Sequence, residues 1–215
     1  MKFLSRFIIL TLLISLTACS KMYYSGLEKM GIPKRELMIH RVEKARDTQE
    51  ETKEQFKSAL EQFTAVTNFN GGDLETVYNK LSDEYEDSVD QAELVEKRIS
   101  DIKDVAEALF LEWEEEITLF SSASLKRSST QQLTATKSQY KQLILAMERA
   151  ESKLEPVLIV FKDQVLYLKH NLNARAISSL KNELSGIQSD VSSLIAAMEQ
   201  SIDEANLFIN SMENK

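Results

Sequence analysis

Turn-forming residues are scarce in this chain, which has only five glycines and two prolines among its 215 residues. A sheet or barrel needs such residues between its short strands, and strand-type alternation is missing as well. A single cysteine leaves no pair for an internal disulfide, so packing alone must hold the fold together. These scarcities predict an all-α protein.

Basic residues are outnumbered, with 26 Lys and Arg against 34 Asp and Glu, for a formal net charge of -8. Nucleic acids are bound by clustered cations, so we expect no nucleic-acid partner. The two histidines, His40 and His170, belong to neither an HExxH motif nor a Glu-x-x-His pair. The acidic stretch 83–90 lacks the glycine and spacing of a calcium loop, and no serine stands in a GxSxG motif. We therefore expect no metal, no cofactor and no enzymatic activity.

The longest hydrophobic run begins at Phe7, after the basic residues Lys2 and Arg6, and has the layout of an export signal. It is shorter than the roughly 20 apolar residues of a membrane-spanning helix. The run ends in Leu16-Thr17-Ala18-Cys19, which resembles the bacterial lipobox. The alternative is a plain secretory signal with an incidental cysteine.

The lipobox resemblance implies a signal peptide over residues 1–18, cleavage before Cys19 and acyl chains on Cys19. Two or more chains hold a protein stably on a membrane. Because Ser20, not Asp, follows the cysteine, the resemblance implies the outer membrane, facing the periplasm. The polar and aromatic residues 19–32 then form a tether near the lipid headgroups, and residues 33–215 form a helical domain.

Apolar residues recur at steps of three and four along four long stretches: 33–67, 74–120, 133–168 and 177–212. Such heptad spacing is typical of helices packed along one another. At about 1.5 Å per residue, the second helix would be near 70 Å long. The pattern predicts an elongated, antiparallel, coiled-coil-like bundle of about four long helices.

Three turns separate these helices. The first is 68–72, followed by Asp73 as a helix N-cap. The serine-rich segment 121–129 predicts the second, with a capping box between Ser129 and Gln132. Asn171 and Asn173 indicate the third, although one continuous helix through them is the alternative.

Pro156 interrupts the third helix and should bend it. The five residues after it, Val157, Leu158, Ile159, Val160 and Phe161, are apolar all round. A helix of that kind needs cover on more than one side, from other helices or from a partner chain. This run is our candidate surface for a protein partner or for self-association.

Charge predicts which helices touch. Residues 73–120 contain sixteen acidic and four basic residues, whereas residues 126–170 contain eight basic and four acidic residues. Helices two and three should therefore lie side by side with complementary flanks.

Lys215 ends the sequence and resembles the terminal lysine through which some lipoproteins are joined to peptidoglycan. Four antiparallel helices would instead return the C-terminus to the anchored end of the bundle. We expect this return, with peptidoglycan attachment through Lys215 as the alternative that an odd number of helices would allow.

Several stretches together resemble the bacterial family called domain of unknown function 2959: Tyr24-Ser25-Gly26-Leu27-Glu28-Lys29, Gly71-Gly72-Asp73-Leu74, Asp104-Val105-Ala106-Glu107-Ala108-Leu109-Phe110, and Val165-Leu166-Tyr167-Leu168-Lys169-His170-Asn171-Leu172-Asn173. The resemblance covers nearly all of the chain after Cys19 and implies an exported, helical, often lipid-anchored protein. We expect a non-enzymatic envelope lipoprotein that acts as a structural or protein-interaction module. The alternative is an accessory subunit of an envelope enzyme whose site forms only with its partner.

Overall fold

The computed structural model describes residues 24, 26–27, 30–69 and 71–213, with only the backbone for Ala174. Within these ranges the chain forms helices and turns but no strand. The signal peptide at 1–18, the lipid site Cys19 and the terminal Lys215 lie outside the described residues, so the expectations about them stay predictions.

The described residues form five long helices: α1 Lys34–Thr67, α2 Leu74–Leu119, α3 Ala123–Glu151, α4 Leu154–Lys169 and α5 Ala174–Glu213. Only two residues separate α3 from α4, and both helices pack against α2 and α5, so together they form one of four rods. The first rod packs against the second and fourth, and the third rod packs against the same two. The predicted all-α, elongated antiparallel bundle is therefore confirmed.

The core runs the length of the bundle and is built from the predicted seams. The largest buried side chains come from all four rods, and fully burying one such side chain stabilises the fold by about 1.5–3 kcal/mol. Phe56 of α1 meets Phe161 of α4 across the core, with ring centroids 6.3 Å apart. Phe110 of α2 and Tyr140 of α3 pack edge to face at 5.3 Å.

The first turn follows the prediction. Gly71 and Gly72 have φ values of 134° and 117°, which L side chains rarely adopt. Asp73 then caps α2, accepting hydrogen bonds from the Glu75 backbone N–H at 3.1 Å and the Thr76 hydroxyl at 2.6 Å.

The second turn is shorter than the serine-rich segment suggested. Helix α3 starts at Ala123, with Ser122 as its N-cap, so the predicted capping box at Ser129 is wrong. Ser129 lies inside α3 and accepts a hydrogen bond from Trp113 Nε1 at 2.8 Å. The apolar stripe fades at 123–129 because α2 and α3 continue past the start of α1, where fewer neighbouring helices are present.

The predicted bend at Pro156 appears as a break between α3 and α4 at Ser152 and Lys153. Pro156 is the third residue of α4, and its ring would clash with the Ser152 carbonyl in a continuous helix. At the third turn, α4 ends at Lys169, so the third and fourth rods are separate helices. Asn173 caps α5 by accepting from the backbone N–H groups of residues 175 and 176.

The first and last rods meet at one end. Arg35, the second residue of α1, donates a hydrogen bond to the carbonyl of Met212 near the end of α5. We call this the proximal end and the opposite one, with the turns near residues 70 and 171, the distal end. The predicted return of the chain to its starting end is confirmed as far as Glu213.

The second and third rods are neighbours, as their charges predicted. Lys137 of α3 pairs with Glu114 of α2 at 2.5 Å. A second pair, Lys103 of α2 with Glu148 of α3 at 2.7 Å, has the opposite polarity. Exposed pairs contribute about 0–1 kcal/mol each, so they favour this arrangement only slightly.

Candidate functional site

The apolar run after Pro156 is divided between the core and the surface. Val157 and Phe161 are buried, Leu158 and Val160 are half-buried, and Ile159 is 52% exposed. The bundle itself therefore supplies most of the cover that this run requires. A partner surface here stays a prediction, and among these five residues it depends on Ile159.

Ile159 belongs to a longer row of exposed side chains on the third rod. Leu166 lies seven residues after it on α4, and Leu145 lies fourteen residues before it on α3. All three are about half exposed. Ile159 and Leu166, seven residues apart on α4, share one helix face, which is the spacing that another helix packs against. Leu145 lies on the other side of the break, on the same rod. We call these three residues the outer stripe.

A polar layer interrupts the core. Gln49 of α1 is 1% exposed, and neither its side-chain oxygen nor its nitrogen has a hydrogen-bond partner among the described residues. Ser201 of α5 is also buried, and its hydroxyl has no partner within the same described ranges. Gln49 lies two helical turns before Phe56 on α1. Phe56 contacts Phe161, and two turns before Phe161 is Leu154, the first residue of α4 after the α3–α4 break. The core is therefore least apolar near the height where the third rod is broken.

Carboxylates gather on one side of this break. Burial raises the pKa of Glu151, the last residue of α3; Lys103 opposes the shift, and Glu96 and Glu148 add to it. Burial also raises the pKa of Tyr140, with further contributions from neighbouring carboxylates. Burial is thus the main cause of both pKa shifts, and carboxylates of α2 and α3 add to it.

The side chains that the sequence offered for metal binding include His40 and the acidic stretch 83–90, and these contact neighbouring side chains of the bundle. Among the described residues, no group of three or more His, Cys, Asp or Glu side chains is placed to hold a metal ion. His40 lies 3.9 Å from Glu43 on the exposed face of α1. In the acidic stretch, Glu84 accepts hydrogen bonds from Gln55 at 2.7 Å and Ser58 at 2.8 Å, which joins α2 to α1.

A cavity of about 340 Å³ opens at the proximal end, lined by Pro33, Lys34, Arg35, Leu109, Glu112, Trp113, Glu116, Gln132 and Met212. Both cationic side chains of the lining make hydrogen bonds within it. Lys34 Nζ donates to Glu112 Oε1 at 2.9 Å, and Arg35 donates to the backbone carbonyl of Met212. The cavity therefore lies where all four rods meet at the proximal end, with Gln132 as the contribution of the third rod.

The segment before Pro33 does not extend freely from this end. Tyr24 is 3% exposed, and its hydroxyl accepts a hydrogen bond from Arg41 Nη1 at 3.1 Å. Arg41 also donates to the Asp101 carbonyl at 2.5 Å, while its guanidinium lies 5.7 Å from the Tyr24 ring centroid. Leu27 packs against the core as well. The packed domain thus begins at least as early as Tyr24, before the boundary at residue 33 that the sequence indicated.

The turn between α2 and α3 exposes apolar and basic side chains together. Leu119 is 80% exposed, Leu125 is more than half exposed, and Phe120 is 40% exposed. Lys126 and Arg127 are exposed as well. We call residues 119–127 the α2–α3 tip. The sequence pattern did not predict this tip, because residues 119 and 120 were assigned to the second helix and residues 121–129 to a serine-rich turn. Leu119-Phe120 followed by Leu125-Lys126-Arg127 was a usable signal. None of the helices in the described ranges is both long and apolar enough to cross a membrane.

Comparison with curated proteins finds none that matches the chain. A family model described as "protein of unknown function (DUF2959)" matches residues 23–212. The match begins one residue before the buried Tyr24 and ends at Met212, so it spans the packed bundle from its first described contact to its last rod. This chain therefore belongs to the DUF2959 family.

Proposed function

We propose that this protein is a lipid-anchored, non-enzymatic lipoprotein of the outer membrane whose helical rod acts in the periplasm as a structural or protein-interaction module. The observation that carries the proposal is the meeting of Arg35 and Met212 at one end of the bundle. Cys19 precedes the docked Tyr24 by five residues. A lipid on Cys19 would hold the proximal end near the membrane and leave the distal end free.

The length of the rod supports a role at a distance from the membrane. Helix α2 has 46 residues and is about 70 Å long at about 1.5 Å per residue. Within the outer stripe, Ile159 and Leu166 of α4 offer apolar contacts at heptad spacing to a helix of another chain. In this proposal, the anchor sets the orientation of the rod and the outer stripe binds the partner.

Metabolic labelling with palmitate tests the anchor. We expect the wild-type protein to incorporate the label and Cys19→Ser to accumulate as an unlabelled precursor. Ser20→Asp should move the labelled protein to the inner membrane, whereas the matched control Ser20→Thr should leave it in the outer membrane. Normal processing of Cys19→Ser would contradict the anchor.

Photo-crosslinking in intact cells tests the partner surface. A photoreactive residue in place of Ile159 or Leu166 should capture a defined protein or a second copy of the chain. The same residue in place of Leu207, an exposed leucine on α5, is the control and should capture neither. Equal capture from Leu207 would argue against the outer stripe, and catalytic turnover by the purified domain would contradict the non-enzymatic role.

A further inference from the structure

We propose that the α2–α3 tip inserts into the lipid interface, so that the rod stands on the membrane through two contacts, the acyl chains on Cys19 and the tip. This inference rests on the lipid anchor proposed above. It adds a lipid-binding surface formed by the folded domain and predicts an upright orientation.

The tip projects beyond the rest of the proximal end. Lys34, the first residue of α1, pairs with Glu112 of α2. From Glu112, α2 continues for seven residues to Leu119, which is about 10 Å at about 1.5 Å per residue. Because α5 ends beside Arg35, the α2–α3 hairpin extends past both the first and the last rod.

The side chains of the tip suit a phospholipid surface. Leu119 is the most exposed large hydrophobic side chain among the described residues, and Phe120 and Leu125 lie in the same turn region. Lys126 and Arg127 are exposed near the start of α3, whose first turn has no acidic residue. Cations at a helix N-terminus are unfavourable for the helix dipole, so an external anion would stabilise them. Lipid phosphates supply that anion, because basic residues next to an anionic membrane surface are attracted to it.

Carboxylates limit how deeply the tip can enter. Glu114, Glu115 and Glu116 are exposed on α2, and Glu116 precedes Phe120 by about one helical turn. Burying these charges in lipid would be costly. The apolar side chains at 119, 120 and 125 therefore reach the headgroup region while the acidic band stays in water.

The length of chain between the lipid site and the bundle selects lipid as the occupant. Tyr24 is held by Arg41, which lies seven residues after Lys34 on α1. Tyr24 is therefore about 10 Å farther from the membrane than Lys34 when the rod is upright. With the 10 Å overhang, Tyr24 lies roughly 20 Å above the tip when the rod is upright. The five residues from Cys19 to Tyr24 span at most roughly 17 Å. An upright rod anchored at Cys19 must therefore bring its tip into contact with the lipid.

The test uses the mature lipidated protein, residues 19–215, in vesicles of phosphatidylethanolamine and phosphatidylglycerol. An environment-sensitive fluorophore is attached at Leu119→Cys or, as a matched control, at Leu172→Cys, an exposed leucine near the distal turn. Circular dichroism confirms that both variants are folded. We expect spin-labelled lipids to remove most of the fluorescence at position 119 and little of it at position 172.

Each other outcome overturns the inference, and flotation of the protein shows whether the anchor fails with it. Flotation of the protein with the vesicles and no quenching at either position would contradict the tip while leaving the anchor intact. Quenching at both positions would show that the rod lies flat on the membrane. Absence of flotation would overturn the anchor and the tip together. Crosslinking of position 119 to a protein in cells, without lipid quenching, would replace the lipid with a protein partner.

Discussion

Arg35 near the start of α1 donates a hydrogen bond to the backbone carbonyl of Met212 near the end of α5. This contact joins residues separated by almost the whole bundle sequence and places the first and last rods at the same end. An even number of rods returns the chain to its starting end. With the lipid anchor proposed for Cys19, this return favours a C-terminus on the membrane side over attachment of Lys215 to peptidoglycan.

The first prediction concerns this return. Spin labels at Ile32→Cys and Glu213→Cys, both exposed positions, should lie close together. Labels at Ile32→Cys and Leu172→Cys should be separated by about 50 Å, because α1 has 34 residues at about 1.5 Å each. Double electron–electron resonance measures both distances in protein that also carries Cys19→Ser and therefore has no lipid. A distance between positions 32 and 213 comparable to that of the control pair would show the return to be wrong.

The second prediction concerns the polar layer. Gln49→Met keeps the volume of the side chain and removes two buried polar atoms that make no hydrogen bond to any described residue. We expect the free energy of unfolding to rise by about 1–3 kcal/mol, the usual cost of an unsatisfied buried group. Gln131→Met, at an exposed position of α3, is the matched control and should change it by less than about 0.5 kcal/mol. Denaturant titration measures both, and a loss of stability in Gln49→Met would mean that this amide has a required partner.

The third prediction distinguishes the buried and exposed parts of the run after Pro156. Phe161→Ala removes the ring that meets Phe56 and should lower the free energy of unfolding by about 3–5 kcal/mol. Ile159→Ala should change it by less than about 0.5 kcal/mol, because its side chain is half exposed. Chemical denaturation measures both variants. Similar losses would show that Ile159 also belongs to the core.

The fourth prediction concerns pH. The pKa of Glu151 is raised above its ordinary value of 4.5, chiefly by burial, so the folded protein favours the protonated carboxyl more than the unfolded chain does. The charged form therefore destabilises the fold above the folded pKa, and this penalty disappears as the pH falls through the folded pKa to below 4.5. Glu151→Gln should raise the melting temperature at neutral pH and lose that advantage in acid.

Thermal unfolding of wild type and Glu151→Gln across this range measures the difference. Glu151→Asp is the control that keeps the charge, and it should not reproduce the neutral-pH gain. An advantage of Glu151→Gln that persists unchanged below pH 4.5 would contradict titration of this carboxyl as the cause.

Local patterns were sufficient for most of the architecture. The heptad seams predicted the helices because a side chain's face follows from its position along a regular helix. Asp73 was recognisable as a cap because capping involves a side chain and the backbone two or three residues away. The break near Pro156 was equally local, since the clash arises within one helical turn.

Contacts between distant residues were beyond such patterns. Val157 through Phe161 are apolar all round, so their own spacing marks no inner face, and packing against Phe56 and the other rods selects which side is buried. Tyr24 is held by Arg41, whose other bond goes to the Asp101 carbonyl on α2, and no local pattern joins these three residues. The overhang of the α2–α3 tip likewise depends on where α1 begins and α5 ends beside α2. Periodicity specifies the face of each helix, whereas the stagger between helices follows from how their side chains interlock in the assembled bundle.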